Sequence, residues 1–234
     1  CTDDALETDH CKFNMRVYHN RILNVAHGIT AQPSKGGPVY IYRNLIYNAT
    51  YSPFKLHNHT TGVLIFHNTC LNKKNAFRIV PARETVTKVV TRNNLFLTRG
   101  GWGLYTSTPN IRHADFDNDG YGGFDKFSRW NRKHTYKTAE DAQKDGRIYR
   151  KHGVVKVNPE TCFASGLQPP ENPGKIFTPE DVDARLGEKS DAVDKGILLP
   201  NFNDHFKGKH PDLGCYEVGK PVPHYGPRPH GFSN

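Results

Sequence analysis

The sequence is poor in the residues that fill a large compact core. Only 35% of its 234 residues are apolar, and it contains one Met and two Trp but 21 Gly and 16 Pro. It has no apolar run long enough to cross a bilayer, so we expect no membrane span. Aromatic residues nevertheless supply 11% of the chain, which is uncommon in disordered proteins. The composition therefore favours a folded chain with a thin core.

The sequence also lacks a recognisable metal-binding pattern among its cysteines. None of the five forms a CxxC pair or a zinc-ligand spacing, and their odd number leaves at least one thiol unpaired within the chain. A bridge between Cys1 and Cys11 and the burial of free thiols are both compatible with the sequence. Cysteine content therefore does not decide the cellular compartment.

Positive charge predominates over negative charge. Lys and Arg number 32 against 23 Asp and Glu, which gives a formal net charge of +9 and favours a polyanionic partner. The basic residues are spread along the chain, and no nucleic-acid-binding motif is present. We therefore expect an acidic polysaccharide as the partner, and no nucleic acid.

One short phrase is repeated four times between Met15 and Phe96. Each copy is strand-like and ends in an asparagine, at spacings of 24, 24 and 25 residues. These asparagines are Asn20, Asn44, Asn68 and Asn93. Strand-forming residues in a repeat of this length are typical of solenoids. The repeat predicts an all-β, right-handed parallel β-helix of about 24 residues per coil, in which the asparagines stack as a hydrogen-bonded ladder.

A second strand follows each asparagine, and its alternation separates inward from outward residues. Pairs such as Ile29 and Ala31, or Phe54 and Leu56, are predicted to point inward. The residues between and beyond them form two outward rows along the solenoid. The first row is Glu7, Thr30, Lys55 and Arg78, and the second is Asp9, Gln32, His57 and Val80.

The regular period ends after Asn94. We divide the chain into β-helix coils (1–98), irregular last coils with a short helix and a closing segment (99–219), and an extended Pro/Gly-rich tail (220–234). Thr138 and Gly146 are predicted to cap the helix at its two ends. The first residues resemble the middle of a repeat, so we also expect further coils N-terminal to Cys1. That N-terminal part of the same protein would be a partner of the coils described by this sequence.

A possible calcium site lies where the period ends. Asp115, Asp117 and Asp119, followed by Gly120, match the start of a calcium-binding loop. The twelfth position is Lys126, however, where such a loop requires a bidentate Glu. The alternative is a Gly/Asp turn that closes a coil, so calcium is a possible cofactor only.

The C-terminal third contains two phrases that resemble the closing signature of right-handed parallel β-helix repeat proteins. They are Ser190-Asp-Ala-Val-Asp-Lys-Gly196 and Pro211-Asp-Leu-Gly-Cys-Tyr-Glu217. The resemblance implies this fold over nearly the whole chain. It also implies a protein that handles polysaccharide outside the cytoplasm, in the secreted, periplasmic or cell-surface space. Such proteins include lyases, glycoside hydrolases, epimerases and surface proteins.

The first outward row predicts a lyase site for acidic glycan. A lyase needs a cation for the uronate carboxylate and a base for the adjacent proton. Lys55 or His57 would be the base and Arg78 the carboxylate clamp, similar to the Lys/Arg pair of β-helix lyases. Aromatic residues such as Trp102 and Tyr105 would stack on sugar rings or pack beneath loops. The alternative for the cations is a solvated basic face.

Two other functions are compatible with the sequence. A glycoside hydrolase would use a carboxylate pair, and Asp4, Glu7 and Asp9 belong to the one dense acidic cluster of the predicted coils. A non-catalytic glycan-binding or surface β-helix would need neither arrangement. We prefer the lyase narrowly, because of the net charge and the outward cations.

Overall fold

The computed structural model describes residues 2–56, 58–79, 85–106, 111–131, 133–148 and 152–226. Its strands in chain order are β1 (Asp4–Glu7), β2 (Met15–Tyr18), β3 (Arg21–Ala31), β4 (Val39–Tyr42), β5 (Leu45–Leu56), β6 (Thr61–Phe66), β7 (Thr69–Asn72), β8 (Phe77–Ile79), β9 (Val86–Arg92), β10 (Leu95–Thr98), β11 (Trp102–Thr106), β12 (Ile111–Arg112), β13 (Asp115–Phe116), β14 (Asp119–Gly122), β15 (Lys126–Trp130), β16 (His134–Tyr136) and β17 (Val154–Lys156). The helices are α1 (Ala139–Asp145), α2 (Pro159–Cys162) and a 3₁₀ turn at Pro179–Asp181.

The strands form three sheets that run along the axis of a β-solenoid. Sheet A has the order β1-β3-β5-β7-β10-β14-β17, sheet B has β2-β4-β6-β9 with β12 and β13 beside β9, and sheet C has β8-β11-β15-β16. All pairs are parallel except β15 with β16. About five turns of about 25 residues each confirm the predicted parallel β-helix. The described residues include no helix of the length and apolarity needed to span a bilayer.

The inward side chains fill the coils as the alternation predicts. Inward aliphatic residues of sheet B, such as Ile41 and Ile65, are fully buried. Along the axis the rings of Phe54, Phe77 and Phe96 pack on one another, with centroids 5.7 Å apart for the first pair and 4.9 Å for the second. Each coil therefore buries a narrow strip that becomes continuous only through stacking.

The asparagine ladder is present, but its fourth member differs from the prediction. Carboxamide nitrogens donate to the next side-chain oxygen at 2.9, 2.9, 2.9 and 2.8 Å. The members in order are Asn20, Asn44, Asn68, Asn94 and Asp119. Each acceptor oxygen also receives the backbone N–H of the preceding member. The repeat thus continues through Asp119, one coil beyond the point where the sequence predicted its end.

The residue before each ladder member adopts a left-handed backbone. These residues are His19, Arg43, His67, Asn93 and Asn118, with φ between 50° and 58°. Asn93 therefore belongs to this bend and not to the ladder, because β9 pairs Arg92 with Phe66. Arg92, which precedes Asn93, is therefore the last residue of strand β9.

The closing segment, residues 159–219, covers the outer face of sheet A. Outward leucines of this sheet, such as Leu71 and Leu95, form a second apolar cluster with Ala192, Leu213 and Cys215 of the segment. Two acidic residues of the closing signature bind its backbone. Asp194 accepts from the N–H groups of Lys209 and His210, and Asp212 accepts from those of Asp194 and Val218.

The predicted helix is confirmed at both ends. Thr138 accepts a hydrogen bond from the N–H of Asp141 at 3.1 Å, and Gly146 ends α1 in the left-handed conformation. Residues 220–226 of the predicted tail contain neither helix nor strand. Tyr225 in this stretch lies over the closing segment and meets the hydroxyl of Tyr216 at 2.9 Å.

Replacing a central ladder residue should destabilise the fold more than replacing the first one. Asn44→Ala removes two donated and two accepted hydrogen bonds in a fully buried position. We expect a loss on the order of 3 kcal/mol in the free energy of unfolding, measured by thermal and denaturant unfolding. Asn20→Ala, at the half-buried first coil, is the control and should cost about 1 kcal/mol. Equal losses would contradict the ladder as the stacking interaction.

Replacing the last ladder residue should remove a dependence of stability on pH. Burial raises the pKa of Asp119 to about 7, so its stabilising contribution is complete below the unfolded value and is lost as the pH rises towards 7. Asp119→Asn keeps the hydrogen bonds without a charge. The melting temperature of this variant minus that of the parent should increase between about pH 4 and pH 8.

His67, another buried titratable group of this region, acts in the opposite direction, and its effect cancels in that comparison. Burial lowers the pKa of His67 to about 3, so its contribution is present above its unfolded value and is lost as the pH falls towards 3. It is identical in the parent and in Asp119→Asn. A melting-temperature difference that does not change with pH would contradict the assignment to Asp119.

Candidate functional site

The candidate site lies on the outer surface of sheet C and of the adjoining halves of β3 and β5. Arg78, Tyr105 and Arg129 are register partners on three successive coils, and Lys55 belongs to the coil before them. We call the surface formed by these four residues and His27 the basic face. Neighbouring strands are about 4.8 Å apart, so the basic face follows the solenoid axis.

Aromatic rings separate the cations of the basic face. The guanidinium carbons of Arg78 and Arg129 both lie 5.7 Å from the ring centroid of Tyr105. On the neighbouring row, the ammonium of Lys126 lies 5.5 Å from the ring of Trp102. The rings attract the cations through their faces and reduce the repulsion between like charges. The surface is therefore both positively charged and able to stack against a planar or ring-shaped ligand.

The structure joins one predicted lyase residue to one predicted hydrolase residue. Lys55 Nζ lies 2.8 Å from Asp4 Oδ2, and the side chains are 18% and 1% exposed. The carboxylate of Asp4 is thus buried beneath the ammonium group. Each charge largely neutralises the other, so neither is a free acid or base of the surface.

His27 is the functional candidate that the sequence did not reveal. Its ring stacks on that of Tyr51, which is 58% exposed, with centroids 5.5 Å apart. Burial lowers the pKa of His27, Asp4 acts against this, and Lys55 and Arg78 lower the pKa further. The imidazole is therefore neutral at physiological pH and able to accept a proton.

The backbone explains why the alternation of inward and outward residues does not reveal His27. Ile29 points inward, so a regular strand would turn His27 inward as well. The β3–β5 register shifts between Val25 and His27, and a Cβ on Gly28 would lie 2.5 Å from the carbonyl oxygen of Pro53. Glycine and proline within paired strands are signals of such a bulge and would have been the available clue.

Two nitrogen atoms of the basic face are buried without a hydrogen-bond partner among the described residues. They are Nδ1 of His27 and Nε of Arg78. Such atoms are energetically unfavourable, at about 1–3 kcal/mol each. A movement of either side chain towards a ligand therefore breaks no hydrogen bond at that atom.

The remaining predicted residues take other positions. Glu7 and Thr30 are register partners of the first row, as predicted, but Thr30 is fully buried. Glu7 is exposed, and Asp9 accepts a long hydrogen bond of 3.4 Å from Gln32. His57 lies outside the described residues. The structure thus brings Asp4 to the cations of the basic face.

The three aspartates of the predicted calcium loop are directed to different partners. Asp115 forms an ion pair of 2.7 Å with Arg92, and Asp117 Oδ2 lies 2.7 Å from Nδ1 of His152. Asp119 ends the ladder. Over the described ranges, no three His, Cys, Asp or Glu side chains are grouped so that they could hold a metal ion. The turn that closes a coil is the alternative that this arrangement supports.

Comparisons with known proteins leave the function to be inferred from this geometry. No protein-family model, curated protein or solved structure matches the chain.

The described cysteines at positions 11, 70, 162 and 215 are free thiols.

The pKa of His27 should respond in opposite directions to its two charged neighbours. Lys55→Met removes a cation and frees the Asp4 carboxylate, so the pKa should rise. Asp4→Asn removes the anion and frees the ammonium, so it should fall further. Nuclear magnetic resonance titration of the ring protons measures both.

Lys126→Met is the matched control for that titration. It removes a cation that lies over Trp102 and that is not among the charges acting on His27. It should leave the His27 pKa unchanged. Shifts of the same sign in Lys55→Met and Asp4→Asn would contradict the cluster.

Proposed function

We propose that this protein is a polysaccharide lyase that binds an acidic glycan along the basic face and cleaves it by β-elimination. The observation that carries the proposal is the position of His27 beside Lys55 and Arg78, because burial and these two cations lower the pKa of its imidazole and so favour the neutral form. This is the combination that the reaction needs, because a neutral base must remove a proton next to a carboxylate whose charge is neutralised.

Each residue has a defined part in the reaction. Arg78 binds the uronate carboxylate, for which its planar guanidinium is suited. His27 takes the proton from C5, the C5–H electron pair becomes the C4–C5 double bond, and the C4–O glycosidic bond breaks. The leaving oxygen gains a proton, and our candidate donor is the exposed hydroxyl of Tyr51, whose ring stacks on the imidazole.

The structure gives less support to Lys55 as the base, and His57, the other predicted base, lies outside the described residues. Lys55 is held by Asp4 at 2.8 Å, so a free amine would require breaking this pair. We assign Lys55 a supporting role: the Lys55–Asp4 ion pair sets the electrostatic environment of the His27 imidazole. Tyr105 and Arg129 continue the surface for two coils and would hold the neighbouring sugar units of a long acidic chain. We further propose that the protein acts outside the cytoplasm.

The test is incubation with alginate, polygalacturonate and chondroitin sulfate while the ultraviolet absorbance of the new double bond is recorded. We expect absorbance to rise with at least one of them. His27→Gln should reduce kcat by about 100-fold or more, the usual contribution of a general base. Arg78→Lys keeps the charge but loses the planar contact and should reduce kcat/KM on the order of 10-fold.

Glu7→Gln distinguishes the lyase from the hydrolase. Glu7 is exposed and lies in the row next to Thr30, so a lyase using His27 should keep its activity. New reducing ends without absorbance, abolished by Glu7→Gln, would instead identify a carboxylate-dependent hydrolase. Retention on a glycan column with no cleavage would identify a binding protein. Either result would overturn the proposal.

A further inference from the structure

A cavity lies between the outer face of sheet B and residues 201–223, away from the basic face. Its volume is about 590 Å³, within the usual range for pockets that take small ligands. The rings of Tyr18 and Tyr42 line it, stacked with centroids 5.0 Å apart and planes within 6°. Phe202 meets Tyr42 edge-on at 5.3 Å. Apolar ring surface therefore forms one side of the cavity.

Arg43, which also lines the cavity, has a backbone conformation that its residue type does not favour. Its φ is 53°, in the left-handed region, where Asn, Asp and His are enriched and bulky residues are uncommon. The equivalent residues of the other coils are His19, His67, Asn93 and Asn118. Arg43 thus departs from the preference of the bend, which indicates that its guanidinium group has a role of its own.

The guanidinium of Arg43 has few partners within the protein. Among the residues that the structure describes, it donates one long hydrogen bond, from Nη1 to the carbonyl oxygen of Cys215 at 3.4 Å, and forms no ion pair within 4.0 Å. Burial lowers the pKa of Arg43, and the charges of Glu217 and Asp212, which lie farther away, act against this. Its donors are therefore available to a ligand, while its charge is already partly balanced.

The charges around the cavity select the class of ligand. Arg43 and Lys220 are opposed by Asp204 and Glu217, all of which line it. His19 adds no positive charge at neutral pH, because burial lowers its pKa. A phosphate or carboxylate ligand would face the two carboxylates. A neutral polyhydroxyl compound can accept from the guanidinium, donate to the carboxylates and pack its C–H surface against the rings.

We propose that this cavity binds a neutral saccharide unit. The site is separate from the basic face, since none of the residues that line it belongs to that surface. The binding of a neutral sugar here therefore does not depend on the lyase reaction. It would let the protein contact a glycan, or a branch of one, whose local composition is uncharged.

The test uses isothermal titration calorimetry of the whole chain with glucose, galactose, mannose and N-acetylglucosamine, each up to about 10 mM, which detects millimolar dissociation constants. At least one should bind. Arg43→Asn should weaken that binding about 10-fold or more, because a guanidinium donor pair is lost. Asn suits the left-handed backbone of this bend, so this variant should fold, and its circular dichroism spectrum and melting temperature check that.

Tyr18→Ala should also weaken sugar binding, because Tyr18 is 49% exposed and lines the cavity. Tyr51→Ala is the matched control: it removes a tyrosine that is 58% exposed from beside the basic face and should leave the binding of these neutral sugars unchanged. Arg43→Asn should in turn leave the cleavage of acidic glycan unchanged. Absence of binding by all four sugars, or unchanged affinity in folded Arg43→Asn, would overturn the proposal. Tighter binding of inorganic phosphate or glucuronate than of these sugars would contradict the proposal that the ligand is neutral.

Discussion

The hydrogen bonds of the asparagine ladder are the interaction on which the rest of the molecule depends. Each acceptor oxygen takes both a backbone and a side-chain N–H from the preceding coil, which fixes how one coil lies on the next. In a parallel stack this register also decides which outer residues become neighbours. The row formed by Arg78, Tyr105 and Arg129 is a consequence of that register, because the three residues are far apart in the chain.

Most of the fold could be predicted because it is repetitive. A period near 24 residues and strict alternation identify the coils and their inward residues, without any knowledge of long-range contacts. The fourth and fifth members of the ladder were not predicted, and the reason is local. The third coil spacing is 26 residues, so counting from Asn68 led to Asn93 although Asn94 is the fourth member of the ladder. Asp119 is the next member of the ladder. From the sequence alone its burial is unknown, so its spacing from Asp115 and Asp117 suggested a calcium ligand.

Less of the candidate site could be predicted, because it depends on departures from the repeat. Lys55 and Arg78 were found by alternation, which holds where the strands are regular. His27 was missed because the register of β3 and β5 shifts between Val25 and His27, so simple alternation does not hold there. The pairing of Lys55 with Asp4 joins residues 51 positions apart on different coils. Side chains as long as lysine reach past their register partner, and no spacing rule predicts which carboxylate they meet.

The same departures separate scaffold from chemistry. Where a residue agrees with its local conformation, as asparagine does in the bends, its presence is explained by stability alone. Arg43 in a left-handed bend and His27 at a bulge are not explained in this way, and both are charged or titratable groups directed at a surface. Sequences usually satisfy local preference except where function requires otherwise. In a solenoid, residues at the same position of successive coils can be compared directly. The residues that depart from the type usual at their position lie on the two surfaces that we assign to ligands.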